Sequence, residues 1–190
     1  MNETNRDILK NHFSRIDFDP RFKSDNIIYW FDGTEYSFLS NFHMHPIKYN
    51  GKVYASTEHA FQAAKTLDDM WKEAIRITKT PGEAKRKGGL CPLRPDWEEV
   101  KNSVMAEVLE IKFQGPYLQD ALLNTYPNYL VEGTLWHDNW WGICLLKDCK
   151  KCEDKKALNM LGILLMELRE KILTRRLQEE VDLVRGIEGN

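Results

Sequence analysis

Ser56-Thr57-Glu58-His59-Ala60-Phe61-Gln62-Ala63-Ala64-Lys65 is the stretch on which the reading of the chain turns. If Ser56 starts a helix, a rotation of about 100° per residue sets Glu58, Gln62 and Lys65 on one face and Ala60, Ala63, Ala64 and Leu67 on the other. Periodicity by itself makes that polar row the solvated side of an amphipathic surface helix. Chemically it is an acid, an amide and an amine in line. Upstream, Phe38-Leu39-Ser40-Asn41-Phe42 reads as a short extended passage. Between the two, Asn50-Gly51 separates Pro46-Ile47-Lys48-Tyr49 from Lys52-Val53-Tyr54, the pattern of a β-hairpin closed by a type I′ turn. The polar helix therefore follows directly from a hairpin.

Outward from this centre, Ile27-Ile28-Tyr29-Trp30-Phe31 is a strand ended by the turn dipeptide Asp32-Gly33. Asp69 to Thr78 carries Trp71, Ala74, Ile75 and Thr78 at helical spacing. Thr80-Pro81-Gly82-Glu83 combines an N-cap, a proline at the first helical position and a capping-box glutamate, and the helix it opens stops at Gly88-Gly89. After a loop from Leu90 to Pro95, Asp96 and Glu99 repeat the capping-box spacing. They head a long helix with Trp97, Val100, Val104, Val108 and Ile111 on its buried face, ending near Gly115-Pro116. Tyr117 to Thr125 reads as a helix, Tyr129-Leu130-Val131-Glu132 as a short strand and Trp136 to Trp141 as a polar aromatic loop. Leu158, Leu161, Leu165, Leu168 and Ile172 stripe a final core helix that continues through Leu177, Val181 and Val184. At the other end, Ile8, Leu9, Phe13, Ile16 and Phe18 are spaced for a short docked helix before Pro20. A few short strands among many helices, without regular alternation, define an α+β fold. The expected organisation is an N-terminal appendage over 1–26, one mostly helical domain with a small hairpin-containing sheet over 27–173, and a C-terminal helical extension over 174–190.

Composition narrows the function classes. With 42% hydrophobic and 29% charged residues over 190 positions, the chain suits one soluble domain with its own core. A formal charge of −2 argues against a whole-molecule grip on nucleic acid or an anionic membrane, while leaving room for a local basic pocket. There is no leader-like N-terminus, and the apolar-rich run from Ala157 to Leu168 is too short to span a bilayer and carries Asn159. A cytoplasmic, membrane-free protein is the expectation. Three of the four cysteines fall within the nine residues from Cys144 to Cys152, which is not a secreted disulfide framework. Cys149-Lys150-Lys151-Cys152 has a spacing at which two thiolates share a tetrahedral zinc ion. Cys144 is available as a third ligand and His137 or Cys91 as a fourth. No second motif fixes them, so neither a metal nor another cofactor is assigned from the sequence.

One ordered set of motifs goes further: Phe38 to Phe42; Glu58 to Lys65; Pro81 through Ala84-Lys85 to Gly88; Arg94-Pro95-Asp96-Trp97 with Val100-Lys101; Met105 and Lys112-Phe113; Leu130-Val131-Glu132; Asp138 to Trp141-Gly142; and Asn159-Met160-Leu161-Gly162 leading to Arg169. From about Ile28 to Arg169 the chain resembles the NADAR family of YbiA-like proteins. The resemblance implies an α+β fold around a nucleotide-sized cleft and an N-glycosidase activity. Within that activity it implies either removal of ADP-ribose from guanine in nucleic acid or cleavage of phosphorylated riboflavin-biosynthesis intermediates. The sequence departs from the family pattern at Gly89, where arginine is usual, at Ala157-Leu158, where a glycine and a cation are usual, and in a longer Leu145–Lys155 segment. The departures at Gly89 and in the 145–155 segment tilt the expectation toward ADP-ribosyl removal. A non-catalytic ADP-ribose or nucleotide binding module and a zinc-stabilised interaction protein are the alternatives from other classes.

Cleaving an N-glycosidic bond builds positive charge on the ribose, which calls for a carboxylate or nucleophile beneath the ring and a donor for the departing nitrogen. The resemblance makes Glu58 the catalytic carboxylate. Lys65 becomes its partner, as phosphate contact or as an amine that attacks the anomeric carbon and forms an imine with the opened sugar. Ser40 and Asn41 are candidates for ribose hydroxyls or a base edge, although local turn capping accounts for them equally. His59 and Gln62 are candidates to orient Glu58. Lys85, in the basic Lys85-Arg86-Lys87 turn, is a phosphate contact or a solvated charge. Asp138 and Trp141 can hold a base by hydrogen bonding and stacking. Asn159 interrupts an apolar helix face and is either a substrate or loop clamp or part of a buried network. By family position alone, Phe42, Arg94, Trp97 and Gly142 complete the substrate-binding set. The expected ligand is a small ribosylated molecule or ADP-ribosylated nucleic acid.

Overall fold

The computed structural model describes residues 15–16, 19–22, 26–146, 149–152 and 155–188. The docked helix expected before Pro20 lies outside the described residues, apart from Ile16, which is buried and bridges to Ala157. Among the described residues the fold is α+β, with strands that pair only in twos. β1 (Ile27–Tyr29) runs parallel to β4 (Tyr129–Val131), with Ile28 opposite Leu130. β2 (Ile47–Tyr49) and β3 (Lys52–Tyr54) form the hairpin, in which Asn50 and Gly51 both take positive φ (47° and 78°), as a type I′ turn requires. β5 (Gly133–Thr134) and β6 (Ile143–Cys144) make a third, parallel pair. The Phe38–Phe42 passage is not extended: Ser37–Leu39 form a single 3-10 turn, and the chain turns again so that the His43 amide donates to the Ser40 carbonyl.

Helix α1 (Thr57–Ala64) is where the amphipathic reading fails. Its N-cap is Ser56, as expected, but every residue from Thr57 to Ala63 is buried, including Glu58 and Gln62. The hydrophobic Leu67, expected on the core side, is 63% exposed. The helix packs against α2 (Asp69–Arg76), α3 (Pro81–Gly88), α4 (Trp97–Lys112) and the hairpin, so the row that looked destined for solvent faces the interior. Such burial is tolerable only where the polar atoms find partners or face a cavity.

The helices that enclose α1 begin where local chemistry says they should. The Asp68 carboxylate accepts from the Met70 and Trp71 amides at the head of α2. The Thr80 hydroxyl and the Glu83 carboxylate close a capping box on α3, and Lys87 ties α3 to α2 by donating to the Ala74 carbonyl. The capping box expected at Asp96 and Glu99 does not form. Asp96 instead accepts from the Arg94 guanidinium at 2.6 and 2.8 Å, a charge-assisted fork that outcompetes an amide. Helix α5 (Pro116–Leu123) and helix α6 (Met160–Glu188) complete the body. Leu161, Leu165, Leu168 and Ile172 of α6 are buried against α4, α5 and β4, whereas Leu158 precedes the helix and is exposed. α6 continues unbroken past residue 173, but its Leu177, Val181 and Val184 are about half exposed. No described helix is long and apolar enough to cross a membrane.

Candidate active site

Asn41 holds the start of α1 in register with the preceding turn. Its carbonyl accepts from the Glu58 amide at 3.1 Å and from the Thr57 hydroxyl at 3.2 Å, while its Oδ1 accepts from the same hydroxyl at 3.1 Å. From the opposite side, Lys112 of α4 donates from Nζ to the Ser40 carbonyl at 2.8 Å, deep in the core. The turn and the helix are thereby fixed to each other. The Glu58 side chain stands over a cleft of about 270 Å³, at the small end of ligand pockets, which run about 300–1,000 Å³.

Of the expected residues, Asn41, Phe42, Glu58, Gln62, Lys65, Lys85, Asp138 and Trp141 all line this cleft. Gln62 donates from Nε2 to Glu58 Oε1 at 2.8 Å, which orients the carboxylate and leaves Gln62 Oε1 without a protein partner. Burial pushes the Glu58 carboxyl above the ordinary carboxylate range, while Lys85, the Gln62 hydrogen bond and Lys65 pull it back toward ionisation. Burial likewise pushes Lys65 below the usual lysine value, with Glu58 opposing. The Lys65 ammonium lies 5.8 Å from the Phe61 ring centre and 5.9 Å from that of Trp97. At the cleft mouth Phe42 and Trp136 present nearly parallel rings with centres 6.3 Å apart, and Lys85 sits 4.5 Å from the Trp136 ring. Trp141 stands edge-on to Phe61 at 5.2 Å, and its amide, with that of Trp140, donates to Asp138 Oδ1.

The remaining expected residues support the cleft rather than line it. His59 turns away: Nδ1 lies 2.8 Å from the Ser56 hydroxyl and Nε2 lies 3.2 Å from the Thr78 carbonyl. Burial holds its imidazole below the ordinary value, so Nε2 carries the proton donated to Thr78 and Nδ1 accepts from Ser56. Ser40 accepts the Phe42 amide on its hydroxyl and serves as a turn cap. Arg94 is committed to Asp96, although its amide donates to the Lys65 carbonyl at 2.8 Å. Trp97 is buried behind Phe61. Gly142 passes so close to the Glu132 carbonyl that no side chain would fit. Asn159, at a positive φ of 50°, accepts from the Glu132 amide at 3.0 Å and donates to the Leu130 carbonyl at 2.8 Å. It is a clamp on β4.

What Asn159 and Gly142 hold in place is Glu132, a second buried carboxyl in the cleft that sequence reasoning passed over as the end of a strand. Burial pushes Glu132 up to about 8, with Asp32 and Asp138 adding to the rise and Lys85 and Lys112 opposing it. Its Oε2 has no protein partner. An acid closing an otherwise apolar strand and followed by glycine was the available signal. Phe61, Met105, Thr134, Trp136 and Leu161 also line the cleft and were not singled out.

The arrangement defines a class: a small α+β domain built around a pocket with two buried carboxyls, two lysines and an aromatic mouth. The chain belongs to the NADAR domain family, whose model matches residues 28–173. N-glycosidase YbiA of Escherichia coli (strain K12) is 41% identical over 152 residues, spanning 78% of this chain and 89% of that protein. The NMR structure of E. coli YbiA superposes with a TM-score of 0.68 over 82% of this chain and 89% of that one. The chloroplastic riboflavin biosynthesis protein PYRR of Zea mays is 35% identical over 154 residues, covering 71% of this chain and 23% of that protein.

Proposed function

We propose that this protein is an N-glycosidase that cleaves the bond between a base or amine nitrogen and a ribose anomeric carbon. The observation that carries the reading is the pair of buried carboxyls, Glu58 and Glu132, that share one cleft with Lys65 and Lys85. Burial raises both; Lys85, the Gln62 amide and Lys65 pull Glu58 back toward its ionised form against Asp138, whereas Asp32 and Asp138 add to the rise of Glu132 against Lys85 and Lys112. Glu58 then stabilises the cation that develops at the anomeric carbon, and Glu132 donates its proton to the departing nitrogen. Lys65, shifted toward a neutral amine, attacks the anomeric carbon and forms an imine with the opened sugar, which water later hydrolyses. Lys85 and the Phe42–Trp136 pair at the mouth suit a phosphate and an aromatic base. The names of the relatives agree with an N-glycosidase, and the intact Glu58 and Lys65 speak against a binding module without catalysis.

For substrate we favour ADP-ribosyl guanine in nucleic acid, because the chain departs from its family at Gly89 and in the longer segment between Leu145 and Lys155. The second reading, a phosphorylated riboflavin-biosynthesis intermediate, draws on the name of the maize relative. One panel separates them: incubation with ADP-ribosylated guanine DNA and with the aminouracil-ribose phosphates, followed for free base and sugar. Glu58→Gln should lower turnover by about 10²–10³-fold with the fold intact, the usual loss when a preorganised charge is removed. Full turnover in that variant, or none on either substrate with the wild type, sinks the assignment.

A further inference from the structure

Behind the cleft rim, three cysteines and a histidine converge on one point. His137 Nδ1 lies 3.0 Å from Cys149 Sγ, 3.8 Å from Cys152 Sγ and 3.9 Å from Cys144 Sγ. All four ligand atoms lie within 4.8 Å of one another, and none of the sulfurs is in a disulfide. A zinc ion bound at about 2.3 Å from sulfur and about 2.0–2.1 Å from nitrogen sets its tetrahedral ligand atoms about 3.5–3.8 Å apart. The set therefore needs shifts of about 1 Å or less to close on one ion, the longest separations shortening and the His137–Cys149 contact opening. Cys91, the other sequence candidate, stands elsewhere and donates its thiol to the Gly88 carbonyl.

The chain assembles these ligands from three places. His137 lies in the β5–β6 loop with a left-handed φ of 63°, Cys144 ends β6, and Cys149 and Cys152 share a turn in which the Cys152 amide donates to the Cys149 carbonyl at 2.9 Å. Cys144 and Cys152 are buried. The Arg15 guanidinium donates to the carbonyls of both, at 2.7 and 2.6 Å, so a cation adjoins the cluster. Three thiolates and a neutral imidazole around a divalent ion leave one negative charge, which Arg15 complements.

We propose that His137, Cys144, Cys149 and Cys152 form a structural zinc site. Four protein ligands fill the tetrahedron and leave no open position for substrate or water. Its role follows from the neighbours of His137: Trp136 and Asp138 both line the cleft, so the ion pins the rim of the pocket to the 149–152 turn. The site stands independently of the N-glycosidase reading, since metal content is measured without substrate.

The test is elemental analysis of the full, untagged, reduced chain purified without chelator and then equilibrated with zinc. About one tightly held zinc per chain is expected, and replacement by cobalt should give visible bands and a thiolate charge-transfer band of a tetrahedral sulfur-rich site. Cys149→Ser, at the half-buried position, should weaken zinc binding by more than about 100-fold, beyond what loss of an outer partner does. Cys91→Ser should bind as the wild type does. No retained zinc, an octahedral cobalt spectrum, or wild-type affinity in Cys149→Ser would each overturn the proposal.

Discussion

Replacing Glu132 by glutamine should make the protein more stable at high pH and leave it nearly unchanged at low pH. The folded carboxyl is raised from 4.5 to about 8, so between those values the native state holds a proton that the unfolded chain has released. Stability attributable to Glu132 is thus complete below pH 4.5 and falls as pH rises through 8. At 1.36 kcal/mol per pH unit the loss reaches about 5 kcal/mol at most, and relaxation around a buried charge reduces it to about 2–5 kcal/mol. Lys112 runs the other way. Burial lowers it from 10.5 to about 7, so its contribution is complete above 10.5 and is lost as pH falls through 7. Glutamine cannot ionise, so the difference between variant and wild type reports Glu132 together with its charge interaction with Lys112. The measurement is urea unfolding of both proteins at pH 5, 7 and 9. The variant's advantage should grow from near zero at pH 5 to a few kcal/mol at pH 9. An advantage that does not change with pH would refute the claim that Glu132 is held neutral in the fold. Turnover supplies a second readout, because a proton donor of this kind makes wild-type activity fall above about pH 8, and the glutamine variant should lose that alkaline limb along with about 10²–10⁴-fold in rate.

Borohydride added during turnover should trap a sugar adduct on the wild type that Lys65→Met lacks, as read by intact mass; an adduct of equal yield in the variant removes the imine route. Gly88→Ala should cost about 1–3 kcal/mol, because the new methyl falls within 2.8 Å of Gln62 Cβ and 2.9 Å of its Cδ. Gly89→Ala, whose nearest neighbour is at 3.4 Å on an exposed turn, serves as the neutral control in the same melts. Asn159→Ala should destabilise by about 3–5 kcal/mol, from two lost buried hydrogen bonds and a left-handed backbone that alanine resists.

The features legible in the sequence were those decided within four or five residues. Asn50-Gly51 and the Thr80–Glu83 box announced a turn and a cap whose chemistry is complete within the segment, and both are present. Asp96 shows how little it takes to upset such a reading: Arg94, two residues away, claims its carboxylate. Periodicity found the two faces of α1 but not what each would meet, since burial depends on α3, α4 and the aromatic loop, none of which the 56–65 stretch encodes. The parallel pair of β1 and β4 joins Ile28 to Leu130 and has no local signature. Glu132 was missed for the same reason. Its raised proton affinity comes first from burial and then from Asp32 and Asp138, all of which it meets only through the fold.

The burial of α1 has an evolutionary corollary. Glu58 and Gln62 line the cleft and belong to the core at once, so a non-conservative substitution there taxes folding together with whatever the cleft does. Phe42, Lys85, Trp136 and Asp138 are partly open to solvent and sit on turns or a helix surface at the rim. Changes there can alter which ligand the cleft admits at little expense to the core. Diversification within this architecture should therefore run along the rim, with the floor of the cleft left unaltered.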